Sequence, residues 1–183
     1  MRKFVGVLAV AALAVPAGMI ALSPAGAAGG TVCSAAGGSA VFTPPLPVLT
    51  STVLVKGTLV ATGTLGKCVG GGVTSAHTVF KSPKGTTGSN CKSLATFDPK
   101  SKGTVGTETI TWNTGKTSTV ALTLKQVKGK PTTTNITGKV TAGLFLGSSQ
   151  TGQVIYKLPV GACSTKPLAK VTYTNTSVKG VIK

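Results

Sequence analysis

Few side chains in this sequence could do chemistry: two carboxylates, Asp98 and Glu108, a single histidine, His77, and four cysteines, Cys33, Cys68, Cys91 and Cys163. Glycoside hydrolysis in its usual form needs two carboxyl groups flanking one bond, and Asp98 and Glu108 are the only pair on offer. Asp98 precedes Pro99 in a turn-like stretch with Lys100 and Lys102, and reads as a solvated loop charge. Glu108 shares the inward parity of Ile110 but stands near the start of its strand, where a Lys partner or the sheet rim would satisfy it. A Ser-His-Asp triad would have to use His77 as its base, and no Gly-x-Ser-x-Gly elbow accompanies it. His77 therefore reads as an ordinary strand residue. The expectation is a protein that is not an enzyme and has no catalytic, metal or cofactor site.

The cysteines point to structure rather than reactivity. No two are closer than 23 residues, a spacing that does not suit a zinc site, and an even count in an exported chain favours two disulfides. Residues equidistant from an antiparallel turn lie side by side. Cys33 and Cys68 are equidistant from Thr50-Ser51, just past Pro44-Pro45-Leu46-Pro47, and Cys91 and Cys163 are equidistant from Val127, beside Lys128-Gly129-Lys130-Pro131. The expected bridges are Cys33 with Cys68 and Cys91 with Cys163.

Export itself is read from residues 1–27: Arg2 and Lys3, an apolar stretch from Phe4 to about Leu22, and the small-residue end Ala25-Gly26-Ala27. Pro16, Gly18 and Pro24 interrupt the stretch, so it reads as a cleaved signal peptide and not as a membrane anchor. Residues 28–183 then form a single secreted domain with no membrane span, released or loosely held at the cell wall. Without Arg2 and Lys3 the 19 basic residues fall to 17, all Lys, which against two carboxylates is a formal charge of +15. Such a charge attracts anionic wall polymers and polysaccharides. The Lys are spread singly, there is no Arg in the domain, and aromatics are scarce, so specific nucleic-acid reading is not expected.

Apolar and polar residues alternate with the period of strands. From Ser51 to Leu65 the apolar residues Val53, Val55, Leu59, Ala61 and Leu65 hold the odd positions. Glu108 to Trp112, then Asn113-Thr114-Gly115, then Lys116 to Leu124 predict a hairpin with a three-residue loop. That loop sets Ile110 opposite Ser118, Trp112 opposite Lys116, Thr109 opposite Thr119 and Thr111 opposite Thr117. Further strands are predicted at about 135–142 (Ile136, Val140 and Ala142 inward), 153–158 (Val154, Tyr156 and Leu158 inward) and 170–174 (Val171 and Tyr173 inward), with others at 40–43 and 72–80. Seven or eight short strands and no convincing helix give an all-β fold, an antiparallel, immunoglobulin-like β-sandwich with two disulfides, a small β-barrel being the alternative. Trp112 and Lys116 at the hairpin end, with the wet threonines Thr107, Thr109 and Thr111 facing Thr117, Thr119 and Thr123, are the candidate ligand contacts.

The leader, Gly63-Thr64-Leu65-Gly66-Lys67-Cys68, Cys91, and above all the run from Thr109 to Val120 resemble a group of small secreted Thr- and Gly-rich β proteins of actinobacteria. The resemblance implies an exported all-β fold and carries no site residue across. The functional expectation is a secreted, non-enzymatic binding or structural protein at the cell surface that associates with anionic polymers through its dispersed Lys. The rival is a secreted effector, either a cationic antimicrobial protein or an enzyme inhibitor presenting the loop from Lys81 to Asn90.

Overall fold

The computed structural model describes residues 30–83, 88–95, 101–174 and 180–182. The leader, Asp98 and the centre of the loop between Lys81 and Asn90 lie outside the described residues. The strands are β1 (Thr31–Leu46), β2 (Val55–Lys56), β3 (Thr58–Val69), β4 (Ala76–Lys81) and β5 (Gly88–Ser89). After one short helix, α1 (Cys91–Ala95), come β6 (Thr104–Trp112), β7 (Thr117–Val127), β8 (Lys130–Gly143), β9 (Ser149–Lys157), β10 (Leu168–Thr174) and β11 (Gly180–Ile182).

The expected hairpin forms as read: Ile110 pairs with Ser118, Thr109 with Thr119 and Thr111 with Thr117, and the Trp112 N–H donates to the Lys116 carbonyl at 2.9 Å. Gly115 takes the left-handed conformation that this loop requires (φ 77°). Both disulfides form between the expected cysteines. The immunoglobulin-like sandwich does not form. The first long strand, β1, pairs along one edge with β10 and along the other with β3, from Val32 opposite Val69 to Thr43 opposite Thr58. With β9 also pairing β10, the antiparallel sheet closes into an eight-stranded barrel of β1, β3, β4 and β6 to β10. The short β11 fits between β1 and β9 at one end, and β2 with β5 makes a separate ribbon.

Closure rather than stacking follows from small residues on the inward face. Gly38 sits opposite Gly63 where β1 meets β3, and Gly106 and Gly138 flank Leu122 on β6, β7 and β8. Glycine lets a sheet bend and lets a large neighbour lean over it. A Cβ at Gly106 would fall 2.4 Å from the Phe80 ring, and one at Gly138 would fall 2.4 Å from a Leu122 methyl.

Parity is inward where alternation predicted it for Leu59, Ala61, Leu65, Ile110, Val120, Leu122, Ile136, Val140 and Val171, all core or core-packed. Three expected inward residues are exposed. A register shift opposite Thr119/Val120 turns Ala142 outward. Leu158 lies just past the end of β9, and Val53 belongs to the loop before β2, exposed by 61%.

One end of the barrel is packed solid. Trp112, Ile110, Val120 and Val140 are at most 2% exposed, and each fully buried aliphatic side chain contributes about 1.5–3 kcal/mol. The Trp112 ring meets Phe145 edge to face with centroids 5.3 Å apart. Its indole N–H donates to Ser118 Oγ at 2.8 Å, and that hydroxyl donates to the Leu144 carbonyl. At the other end α1, the loop after Leu46 and the loop after β9 are tied together: Cys91 is bonded to Cys163, Leu49 N–H donates to the Cys163 carbonyl, and Cys91 N–H to the Pro47 carbonyl.

Candidate functional site

Between these two ends the lumen is not filled. A cavity of about 630 Å³ runs inside the barrel, walled among others by Phe42, Leu59, Phe80, Leu124, Ile136 and Val154. Its existence follows from residue size. The inward positions Ala36, Ala40, Ala61 and Gly152 on β1, β3 and β9 line the space without occupying it. Interiors of eight-stranded barrels are just wide enough either to be packed by side chains or to hold one small ligand.

Within this apolar wall sits one polar cluster. Glu108 on β6 is 9% exposed and Gln150 on β9 is 8% exposed, and both face the cavity. Gln150 Nε2 donates to Glu108 Oε2 at 2.8 Å. Thr78 on β4 is a second hydrogen-bond partner of Glu108 and also of the Tyr173 hydroxyl on β10. Gly38 and Gly63 admit that hydroxyl, since a Cβ on either would lie within 2.6 Å of it. Gln150 Oε1 is buried and has no hydrogen-bond partner. Nearer the mouth, Gln126 Nε2 donates to the carbonyls of Leu94 at 2.6 Å and Pro131 at 2.9 Å, and the Tyr156 hydroxyl donates to the Pro131 carbonyl.

Burial pushes the Glu108 carboxyl above its usual 4.5, overriding the opposing hydrogen bonds from Gln150 and Thr78. A carboxyl that holds its proton more tightly when folded lends stability below the ordinary carboxylate range and loses it as pH rises through the folded value. The variant Glu108→Gln keeps a neutral group in the same place. Its stability relative to the parent is expected to be constant below about pH 4.5 and to rise above it, by a total of about 1.4 kcal/mol for each tenfold tightening of the proton, with a matching rise in melting temperature. Thermal melts across pH test this, and parallel profiles would contradict it. Burial also pushes the phenols of Tyr156 and Tyr173 up to about 12. They are the only tyrosines, so the folded protein is expected to show almost no phenolate absorbance at about pH 10, where a free tyrosine is half ionised.

Comparison with family models, curated proteins and solved structures finds no match.

The residues singled out from sequence are distributed as follows. Trp112 is buried at the closed end, where it also borders the cavity, while Lys116 is exposed, so the two form no joint surface platform. Thr109, Thr111 and Thr117 are exposed and Thr119 is half-buried, on the outer wall. Thr64, His77, Thr111 and Thr117 form one row across β3, β4, β6 and β7, with Thr62, Val79, Thr109 and Thr119 beside it. The row bends around the barrel, and Thr107 and Thr123 do not extend it as expected, being opposite Ala121 and Val105. His77 on the outside and Glu108 on the inside are not brought together. Among the described residues Glu108 has no Lys partner, and it does not sit on the rim: Phe80 and Val120 flank it on adjacent strands, and Gln150 and Thr78 are its hydrogen-bond partners. Gln150, Thr78 and Tyr173 were not singled out as site residues. Extending the parity of Val154 and Tyr156 two steps toward the start of β9 would have placed Gln150 inside.

Proposed function

We propose that this protein is a secreted, non-enzymatic binding protein whose barrel encloses one small, largely apolar molecule. The observation that carries the reading is the cavity of about 630 Å³ in the lumen, with a mostly apolar wall, the Glu108–Gln150 cluster inside it, and further polar residues such as Gln126 and Lys125 along its lining. Ligand sites have this composition, a mostly apolar wall with few polar groups that fix orientation. Two disulfides support an extracellular setting. Nile red, a neutral apolar fluorophore, is expected to bind at one equivalent and to quench the sole tryptophan, Trp112, which borders the cavity. Filling the lumen with Ala61→Phe and Val154→Phe should abolish this saturable binding. Undiminished binding to the filled barrel would count against the reading.

A second role is supported by the outer wall. Every lysine whose side chain is described is exposed, whereas Glu108, one of only two carboxylates, is turned inside. The described exterior therefore carries unneutralised positive charge, which would hold the protein against anionic wall polymers. Binding to teichoic acid and to heparin should fall steeply and alike with added salt. Salt-insensitive retention of one of them would instead require a shaped site for it.

A further inference from the structure

Gln150 Oε1 is the one buried side-chain polar atom among the described residues with no partner. An unpaired buried acceptor is costly, and natural structures seldom leave one without a reason. Gln150 is one of the residues lining a cavity large enough for a ligand, and the nitrogen of the same amide contacts a carboxyl group. We infer that Gln150 is the acceptor that fixes the hydroxyl group of an uncharged, largely apolar alcohol bound in the barrel, with Glu108 as the reciprocal donor. This rests on the reading of the lumen as a ligand site.

The chemistry of the cluster selects among possible head groups. Burial pushes the Glu108 carboxyl above its usual value, and in its protonated form it presents one O–H donor beside the bare Gln150 oxygen. A hydroxyl group satisfies both at once: its oxygen accepts from Glu108 and its hydrogen donates to Gln150 Oε1. An ether satisfies only Glu108. A carboxylate could accept from Glu108, but it has no hydrogen to donate to Gln150 Oε1 and would bring an unpaired charge into an apolar lumen. An ammonium group requires Glu108 to ionise in an apolar lumen, inside a domain whose formal charge is already +15. The other groups facing Glu108 are Thr78 and Tyr173, the latter a phenol pushed up to about 12, and the lysines that border the cavity, Lys102 and Lys125, are exposed. None of them supplies a second fixed charge inside.

The test is calorimetric binding of four probes with one shared chain: dodecanol, dodecyl methyl ether, dodecylamine and dodecanoate. Dodecanol is expected to bind tightest, about tenfold better than the ether that lacks the donor. In Gln150→Met, which keeps the length but removes the acceptor, that preference should collapse. Equal binding of dodecanol and the ether by the parent protein would overturn the role of Gln150 while leaving the lumen a ligand site, and needs no variant to fold. Preference for dodecylamine, strengthening as pH rises and Glu108 loses its proton, would overturn it in favour of an ionised anchor. If no probe binds, the ligand-site reading and the inference fall together.

Discussion

Replacing Cys91 and Cys163 together by Ser is expected to lower the unfolding free energy by about 4 kcal/mol. The bridge closes a separation of 72 residues, and the loss of chain entropy that such a cross-link imposes on the unfolded state grows with the logarithm of the loop. The Cys33–Cys68 bridge closes 35 residues and on the same basis contributes slightly less, also near 4 kcal/mol. The two differ more in their native consequences. Cys33 and Cys68 are direct partners in the β1–β3 ladder, which continues to Thr43 and Thr58 and holds the seam by itself. Cys91 and Cys163 sit on α1 and on the loop after β9, where few ladder bonds assist. Loss of the second bridge should therefore also accelerate hydrogen exchange at the Leu94 amide, which bonds to the Asn90 carbonyl. Thermal melts should fall by roughly 8–16 °C for the Cys91/Cys163 variant. A fall of only a degree or two, with unchanged exchange at α1, would show that the bridge does not hold this end together.

Gly38→Val is expected to prevent the barrel from closing. A Cβ there would lie 2.1 Å from the Thr62 carbonyl oxygen, 2.6 Å from the Tyr173 hydroxyl and 2.7 Å from Gly63 Cα. Two of those three neighbours are backbone, so rotamer changes cannot relieve the clash. Overpacking a core typically costs about 1–3 kcal/mol when side chains can shift, and more when they cannot. The damage would fall on the β1–β3 seam, the pairing that turns an open sheet into a barrel. Gly37→Val, one residue away, is the control: its Cβ would meet only the Tyr173 carbonyl oxygen at 3.6 Å. Melts of the two variants should differ by several degrees, with Gly38→Val the lower or unfolded. Equal melts would mean that the seam does not pack as described.

Local features of the fold were legible in the sequence because short-range rules set them. The hairpin register from Glu108 to Leu124 is dictated by a loop length and by Gly115. The Cys33–Cys68 pairing was reached by symmetry, and the ladder from Val32/Val69 to Thr43/Thr58 shows that β1 and β3 do run symmetrically about Thr50-Ser51. Symmetry also gave Cys91–Cys163, but for another reason than the one argued. Neither residue belongs to the β7–β8 hairpin; both lie in segments that cover the same barrel end.

Closure was not legible. Alternation tells which side chains share a face but not whether that face lines two sheets or one cylinder. Closure needs β1 to pair with β10 as well as with β3, and the β1–β10 pairing joins Gly37 to Thr174, far apart in the chain. The length of β1 was hidden as well, because Ser34-Ala35-Ala36-Gly37-Gly38-Ser39 contains no large residue to mark a period. The same smallness creates the lumen. Glu108 was correctly given inward parity, yet a charged residue near a strand start reads as a rim residue until its partner is known, and Gln150 is 42 positions away.

The most direct test of the account is methyl-resonance NMR of the protein titrated with dodecanol. A barrel with a ligand-holding lumen predicts saturable shifts at the inward methyls of Ala40, Ala61, Ile136 and Val154, which line the cavity. The exposed methyls of Ala121, Ala142 and Leu146 should stay in place. Shifts confined to the exposed set, or none at all at saturating dodecanol, would contradict it.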